Sequence, residues 1–405
     1  MWEQIRSNQI KSVVLVVVMG VLFLALGYSL GVVFFDSSTA GLVLAIILWA
    51  IMNLIAFSQG DSILLSVSGA RKISQDDHPR LYNIVEEMKI ASGLENMPDI
   101  YIIDDSALNA FATGRDQNHT AVAVTSGLLQ KLNRDELQGV IGHEMAHIKN
   151  RDVQLMALLV VLMGTIVILG WFASRYILYG GDMPKSRRES SSGAAGGIQL
   201  IIIVIGLILI ILAPIFAQLI YYAVSRKREY LADASSALYT RYPEGLASAL
   251  EKLASSDTEV RGANKATAPM YTINPFQKKG MSVNDPTSTH PPIAERVRIL
   301  RSMAGASPAD YERAYQQLKR KGVIPTSALA GASAVALREA SSPEAAPGVQ
   351  TTMKLERTRE TSDLMWRLSN YKTITCSECG VRMRLPPNFN RRFIRCPHCG
   401  YINPI

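Results

Sequence analysis

Three observations predict an α+β integral membrane protein. The chain carries four long apolar blocks, a polar stretch between the second and third blocks that mixes helical with strand patterns, and four cysteines paired as two C-x-x-C knuckles within residues 376–399. A content of 48% hydrophobic against 19% charged residues excludes a wholly soluble chain once the clumping of the apolar residues is considered. The net charge of +8 lies beside the apolar blocks and near the C-terminus, which is no argument for a nucleic-acid binder.

The apolar blocks are Val13–Phe35, Ala40–Phe57, Leu155–Ala173 and Ile198–Val224. Each is long enough, at 1.5 Å per helical residue, to cross a hydrocarbon core of about 30 Å. The first exceeds the h-region of a secretory signal, is followed by the poor cleavage site Asp36-Ser-Ser-Thr-Ala40, and leads at once to a second block, so it reads as a retained anchor. Arg6 and Lys11 before the first block, with Arg71 and Lys72 after the second, place the N-terminus and residues 60–154 in the cytoplasm of a multi-pass cell-membrane protein. Lys185, Arg187 and Arg188 between the third and fourth blocks argue the other way and are outweighed by the first helices. The expected organisation is a two-span anchor (1–59), a cytoplasmic segment (60–154), a transmembrane hairpin (155–224), a second cytoplasmic segment (225–305), a helix and flexible linker (306–371) and a terminal unit (372–405).

Between the second and third blocks, His78–Ala91 has helical periodicity and is stopped by Gly93. Residues 99–104, 107–113 and 121–125 read as three strands of a small antiparallel sheet. Asn133-Arg-Asp-Glu136 supplies an N-cap and an acidic first turn for a helix that nothing interrupts before the third block. Further helices are expected over 225–239, over 243–254, and from Pro291-Pro292 to about Met303. Residues 324–350, rich in Ala, Ser, Pro and Gly, read as a flexible linker.

The helix that begins at Asn133 contains His143-Glu144-Met-Ala-His147. Histidines at i and i+4 stand one above the other on a helix, so their rings can share one Zn²⁺ while Glu144 lies beside a metal-bound water. Such a carboxylate can take the water's proton as a peptide carbonyl is attacked and return it to the leaving amine, which makes the expected core zincin-like. With six histidines in the chain, a chance H-E-x-x-H on a helix is rare. A third ligand is required, and Glu229 is the best placed, on a helix leaving the fourth block on the same side of the membrane. Asp233, four residues on, could accept the free N–H of a ligating histidine. Asp152 reads as a helix-surface carboxylate, and His78 and His119 as ordinary polar residues.

Residues 1–305 resemble the HtpX-type membrane metalloproteases, relatives of the CAAX prenyl endopeptidases. The motifs that carry the likeness are His143-Glu-Met-Ala-His147-Ile-Lys-Asn-Arg-Asp, Ser225-Arg-Lys-Arg-Glu229-Tyr-Leu-Ala-Asp233, Asn109-Ala-Phe-Ala-Thr-Gly114 and Thr289-His290-Pro-Pro-Ile-Ala-Glu-Arg296. The resemblance implies zinc on His143, His147 and Glu229, with Glu144 as the base. It also implies that Asn109 lies on an edge strand receiving the substrate as an added strand, and that His290 and Arg296 approach the metal to polarise the substrate carbonyl or oxyanion.

The chain departs from that family after residue 305. Cys376-Ser-Glu-Cys379-Gly and Cys396-Pro-His-Cys399-Gly, 16 residues apart, have the spacing of a zinc ribbon, a closed four-thiolate structural site, with a rubredoxin-like iron site as the alternative. Arg382, Arg384, Arg391, Arg392 and Arg395 between the knuckles face no acidic residue there, and read as a basic surface for solvent, a protein or an anionic membrane before nucleic acid. The function expected is that of a membrane zinc endopeptidase with two Zn²⁺, polypeptide substrates, membrane lipid and an undefined ribbon partner, and the resemblance implies misfolded or damaged membrane proteins as its substrates. A non-proteolytic scaffold recruiting through the ribbon and a prenyl-protein processing protease are the competing readings.

Overall fold

The computed structural model describes residues 37–116, 118–153, 226–256, 258–261, 263, 270–273, 275, 290–320, 322–324, 326–329, 333–341 and 347–405, with scattered helical positions in 10–31. The expected third and fourth spans lie outside the described residues, as does much of the first.

Helix α1 (Ser38–Val67) is capped by the Ser37 hydroxyl, which accepts from the Ala40 N–H. Its first 18 residues, Ser38–Ile55, have a mean hydropathy of 2.1 and are almost unburied, and among the described residues this is the one helix long and apolar enough to cross a membrane. Gly27 and Gly31 of the first block form a G-x-x-x-G pair against Gly41 of α1. A Cβ on Gly41 would lie 2.1 Å from the Gly27 carbonyl oxygen and 2.5 Å from the Gly31 Cα, so the two backbones touch in the way small-residue stripes permit inside a membrane. Beyond Ile55, α1 runs twelve further residues, about 18 Å at 1.5 Å per residue. There it buries Leu64 and Leu65 in the polar domain, and Arg115 donates to the Ser58 carbonyl at 2.7 Å.

The sheet has four strands in the order β1-β2-β4-β3: β1 (Ala70–Ile73), β2 (Asp99–Ile103), β3 (Ala110–Gly114) and β4 (Thr120–Thr125). It corrects the expected antiparallel sheet in two ways. β1 is an additional strand, and β2 and β4 run parallel, with Ile100 beside Val122 and Ile102 beside Val124. The β3–β4 hairpin turns at 115–119 so that β4, buried at all six residues, takes the centre and β3 becomes an edge.

Helix α2 (Pro79–Ser92) starts at His78, whose Nδ1 accepts from the Leu81 N–H, and ends at Gly93 in the left-handed conformation. Burial pushes this capping imidazole down to about 4. After the short α3 (Ser126–Lys131) comes α4 (Arg134–Lys149), opened by a reciprocal capping box between Asn133 and Glu136. It is buried on every side from Asp135 to Ala146, the pattern of a central helix. Contrary to the expectation of an unbroken run, α4 stops at Asn150, because Arg151 has φ 58° before helix resumes at Asp152.

Helix α5 (226–240), α6 (Pro243–Ala254), α7 (Ile293–Arg301) and α8 (Pro308–Lys319) complete the core. α4 meets α6 where a Cβ on Gly139 would lie 2.6 Å from the Leu246 nitrogen. Residues 335–341, expected within a flexible linker, run extended along the domain: Ala306 N–H donates to Val335, Arg338 N–H to Arg241, and Ser341 N–H to the Asp135 carboxylate. Composition alone does not reveal these hydrogen bonds, which order the backbone without a periodic pattern. Helix α9 (Pro347–Leu368) then packs on α3, and Arg71 donates to its Leu368 carbonyl. Two hairpins follow, β5–β6 (Lys372–Thr375, Arg382–Leu385) and β7–β8 (Phe393–Arg395, Ile402–Pro404). Arg382 and Arg384 are paired with Asp363 of α9 at 3.1 and 3.0 Å, so two of the five arginines read as facing no acid do face one, outside the ribbon.

Replacing Gly41 by Ile drives a branched side chain into the Gly27–Gly31 backbone. The expected result is a loss of about 1–3 kcal/mol or more of helix-pair stability, read as a lower melting temperature of the purified protein with the zinc content of the folded fraction unchanged.

Candidate active site and cysteine centre

The histidines of α4 and the carboxylates of α5 meet because the two helices approach at small residues. Ser236 Oγ donates to the Gly139 carbonyl at 2.7 Å, and a Cβ on Gly142 would lie 3.1 Å from the same hydroxyl. One helical turn along each, the His143 and His147 Nε2 atoms stand 3.2 Å apart. Each lies 3.5 Å from an oxygen of Glu229. The edge of a tetrahedron around zinc, with ligands at about 2.0–2.1 Å, is about 3.4 Å, so this donor set fits the ion. Glu229 Oε2 is buried and has no hydrogen-bond partner among the described residues, as expected of an atom facing a cation.

The other ring nitrogens are each taken by a carboxylate. Asp233 Oδ1 lies 3.0 Å from His143 Nδ1, and Asp152 Oδ2 lies 3.0 Å from His147 Nδ1. A carboxylate at Nδ1 holds the proton there and leaves Nε2 as the donor to a metal. Arg296 is fully buried and clamps Asp233 through Nε at 2.8 Å and Nη2 at 2.6 Å, with Nη1 3.6 Å from Glu229. Burial opposes charge on Glu229, yet His290, His143 and His147 hold its carboxyl well below the usual range. Burial likewise opposes a charge on His143, but the Asp233 and Glu229 carboxylates beside it push the imidazole up to about 9. His290 is buried with Nε2 3.8 Å from Glu229 Oε2, and desolvation drives it down to about 4.

Glu144 is almost fully buried, and Thr272 Oγ1 lies 2.7 Å from its Oε1. The same short segment covers the sheet edge. Thr272 N–H donates to the Ala110 carbonyl at 2.9 Å, and Asn109, immediately before β3, donates through Nδ2 to the Ile273 carbonyl at 3.1 Å. Asn109 therefore stands at the edge strand, where the chain's own residues 272–273 are its partners. Between His143, Glu144, His147, Arg228 and Met270–Thr272 lies a cavity of about 20 Å³, room for about one water.

Two contributors escape the sequence reading. Asp152, expected as a helix-surface carboxylate, is buried against His147 because the backbone reverses at Arg151. Thr272 reaches Glu144 across 128 residues of sequence, and no local signal marks it.

The fold and this site define a metallopeptidase of the helix-borne H-E-x-x-H kind. The profile of Peptidase family M48 matches residues 75–304. A protease HtpX homolog of Dictyoglomus turgidum is 43% identical over 302 residues, covering 75% of this chain and 94% of the relative. Those of Thermoanaerobacter pseudethanolicus and Streptococcus uberis are 41% and 39% identical, with 98% and 100% of their lengths covered. The crystal structure of S. mikatae Ste24p aligns over 74% of this chain and 67% of its own, with a TM-score of 0.39 and 20% identity. The chain belongs to peptidase family M48, among its HtpX-type members, and is a membrane zinc endopeptidase.

The C-terminal cysteines form a second centre. Cys376 and Cys399 Sγ atoms lie 3.6 Å apart, as do those of Cys379 and Cys396, and all four lie within 4.8 Å of one another. These separations are far too long for a disulfide and close to the edge of about 3.8 Å expected for four thiolates around zinc.

Replacing Asp152 by Asn is expected to weaken zinc binding about ten-fold or more, since the lost charge no longer holds the His147 proton at Nδ1. Competition with a colorimetric chelator measures it. Replacing Cys379 by Ser is expected to release one zinc per chain and expose residues 372–401 to protease, with zinc at the histidine site retained. Mass analysis of the digest and metal content together check it.

Proposed function

We propose that His143, His147 and Glu229 hold the catalytic zinc, that Glu144 is the proton-transferring base, and that the natural substrates are misfolded or damaged membrane proteins. The observation that carries the first two assignments is the convergence of two Nε2 atoms and one buried carboxylate at the spacing of a zinc tetrahedron, with Glu144 alongside. Bound there, zinc would supply a Lewis acid that acidifies water and polarises the scissile carbonyl. Glu144 takes the proton of the attacking water on its carboxylate and returns it to the leaving amine. For that exchange the Thr272 hydroxyl has to leave Oε1 or rotate, and residues 272–273 have to yield the Asn109–Ala110 edge if the substrate is to add there as a strand. Asp233 and Asp152 keep the imidazoles oriented, and Arg296 acts behind Asp233 through Nε and Nη2, with Nη1 3.6 Å from Glu229. His290, 3.8 Å from Glu229 Oε2, keeps the part the resemblance implies, polarising the carbonyl or oxyanion.

The substrate assignment rests on where the domain stands. The apolar block of α1 ends at Phe57, and Arg115 in the β3–β4 turn donates to the Ser58 carbonyl, so the catalytic domain sits on the emerging end of that helix. The remaining parts of the reading are four spans, a cytoplasmic active site in a cell membrane, and a structural zinc in the cysteine centre.

Glu144→Gln is expected to retain one zinc at the histidine site and to lose about 10²–10⁴-fold in turnover. Casein digestion with and without chelator, together with metal content, tests this. A Glu144→Gln variant that still digests casein would remove Glu144 from its role, and hydrolysis indifferent to chelator would remove the metal.

A further inference from the structure

Arg338 lies beyond residue 304, where the family match ends, yet it joins the two helices that carry the proposed zinc ligands. All five N–H donors of its guanidinium have acceptors. Nε donates to the Thr240 carbonyl at 2.7 Å, and Nη1 donates to the Glu339 carbonyl at 3.0 Å and to Ser341 Oγ at 2.8 Å. Nη2 donates to Asp135 Oδ1 at 2.7 Å and to Gln138 Oε1 at 2.8 Å. The guanidinium also lies 5.0 Å from the centre of the Tyr242 ring. Thr240 is the last residue of α5, and Asp135 and Gln138 belong to the first turns of α4. The neighbouring chain repeats the connection, since Ser341 N–H donates to Asp135 Oδ2 and Arg241 Nε to the Ala336 carbonyl.

The order of contacts along the helices gives this bolt its consequence. On α4 the sequence is Asp135, then Gly139, then His143, each one helical turn apart; on α5 it is Thr240, then Ser236, then Asp233 and Glu229. Ser236 stands between the two sets, its hydroxyl donating to the Gly139 carbonyl at 2.7 Å and lying 3.1 Å from where a Cβ on Gly142 would be. The bolt and the ligands therefore lie on opposite sides of one pivot. Freeing the Asp135–Thr240 end lets the helices rock about Gly139–Ser236, which moves His143 relative to Glu229. A displacement of about 1 Å at such a site is enough to cost about 100-fold in rate.

We propose that Arg338, supplied by the extension beyond the family domain, is a positioning residue that sets the α4–α5 spacing and thereby the geometry of the zinc site. The proposal rests on the assignment of His143, His147 and Glu229 as ligands. It divides the C-terminal extension in two: the strap up to Ser341 and α9, which packs on α3, belong with the catalytic unit, and the cysteine centre follows them.

The test uses the full-length protein in detergent, with Arg338→Ala, Arg338→Lys and Glu229→Ala compared at a temperature well below the melting point of each. Zinc affinity at the histidine site is read by chelator competition, and kcat and KM on an unstructured peptide are read separately. Arg338→Ala is expected to weaken zinc binding about ten-fold and to lower kcat with KM within about two-fold, since the peptide cleft is not touched. Arg338→Lys, with three donors for five acceptors, is expected to recover only part of the zinc affinity. An Arg338→Ala protein that melts earlier but binds zinc and turns over as wild type overturns the proposal, leaving a merely structural clamp. Should Arg338→Ala not fold, wild-type zinc affinity in Arg338→Lys overturns it equally. If Glu229→Ala keeps its zinc, the ligand assignment itself fails and takes this proposal with it. Loss of zinc in Glu229→Ala beside wild-type binding in Arg338→Ala rejects only the positioning role.

Discussion

The chemistry of this protein depends on a set of charges buried together. Glu144, Asp152, Glu229, Asp233, Arg228 and Arg296 are all nearly inaccessible. Leaving the imidazoles aside, four carboxylates stand against two guanidiniums, so two negative charges remain, the charge of one divalent cation. An uncompensated pair of that kind in a low-dielectric interior is strongly unfavourable.

Holding such a cluster requires rigid, closely packed helices, which explains the choice of small residues around it. Gly139 and Gly142 on α4 let α6 and α5 approach its backbone, and a capping box and the side chains of Ser248 and Lys252 fix Glu136 at its start. The extension adds to the same end of α4, through Asp135 and Gln138, so the helix carrying the H-E-x-x-H motif is held from both faces near its N-terminus. The cysteine unit is held differently. Its small core contains Cys376, Met383 and Cys396, too little apolar surface for a fold of that length, and four converging thiols take the place of a larger interior.

The edge of the sheet shows how the structure moderates an exposed feature. β3 is an edge strand near Glu144, and an unpaired edge is a place where an extended peptide can add. In this structure residues 272–273 occupy the Asn109–Ala110 end of it, with the Phe111 and Tyr271 rings packed edge to face at 5.2 Å. The hydroxyl that touches Glu144 comes from the same segment, so one stretch of chain both covers the edge and contacts this carboxylate.

Helix α2 was legible from its periodicity and Gly stop, α4 from Asn133 and its acidic first turn, and the two donor clusters from spacings of four residues and of C-x-x-C, because each of these signals lies within a few turns of chain. Glu229 was legible too, on a helix expected to return to the same side of the membrane. The parallel pairing of β4 with β2, the burial of Asp152 after the reversal at Arg151, the hold of Thr272 on Glu144 and the bonds of Arg338 were not. Each depends on contacts between segments far apart in sequence, or on one backbone angle, where local propensity carries no information. The sequence by itself determined the apolar helix, the donor types and their local spacing. Only the tertiary structure decided which carboxylate orients which histidine, and that a strap read as flexible is bonded to the catalytic helices, since buried polar groups take whichever partners packing brings within reach.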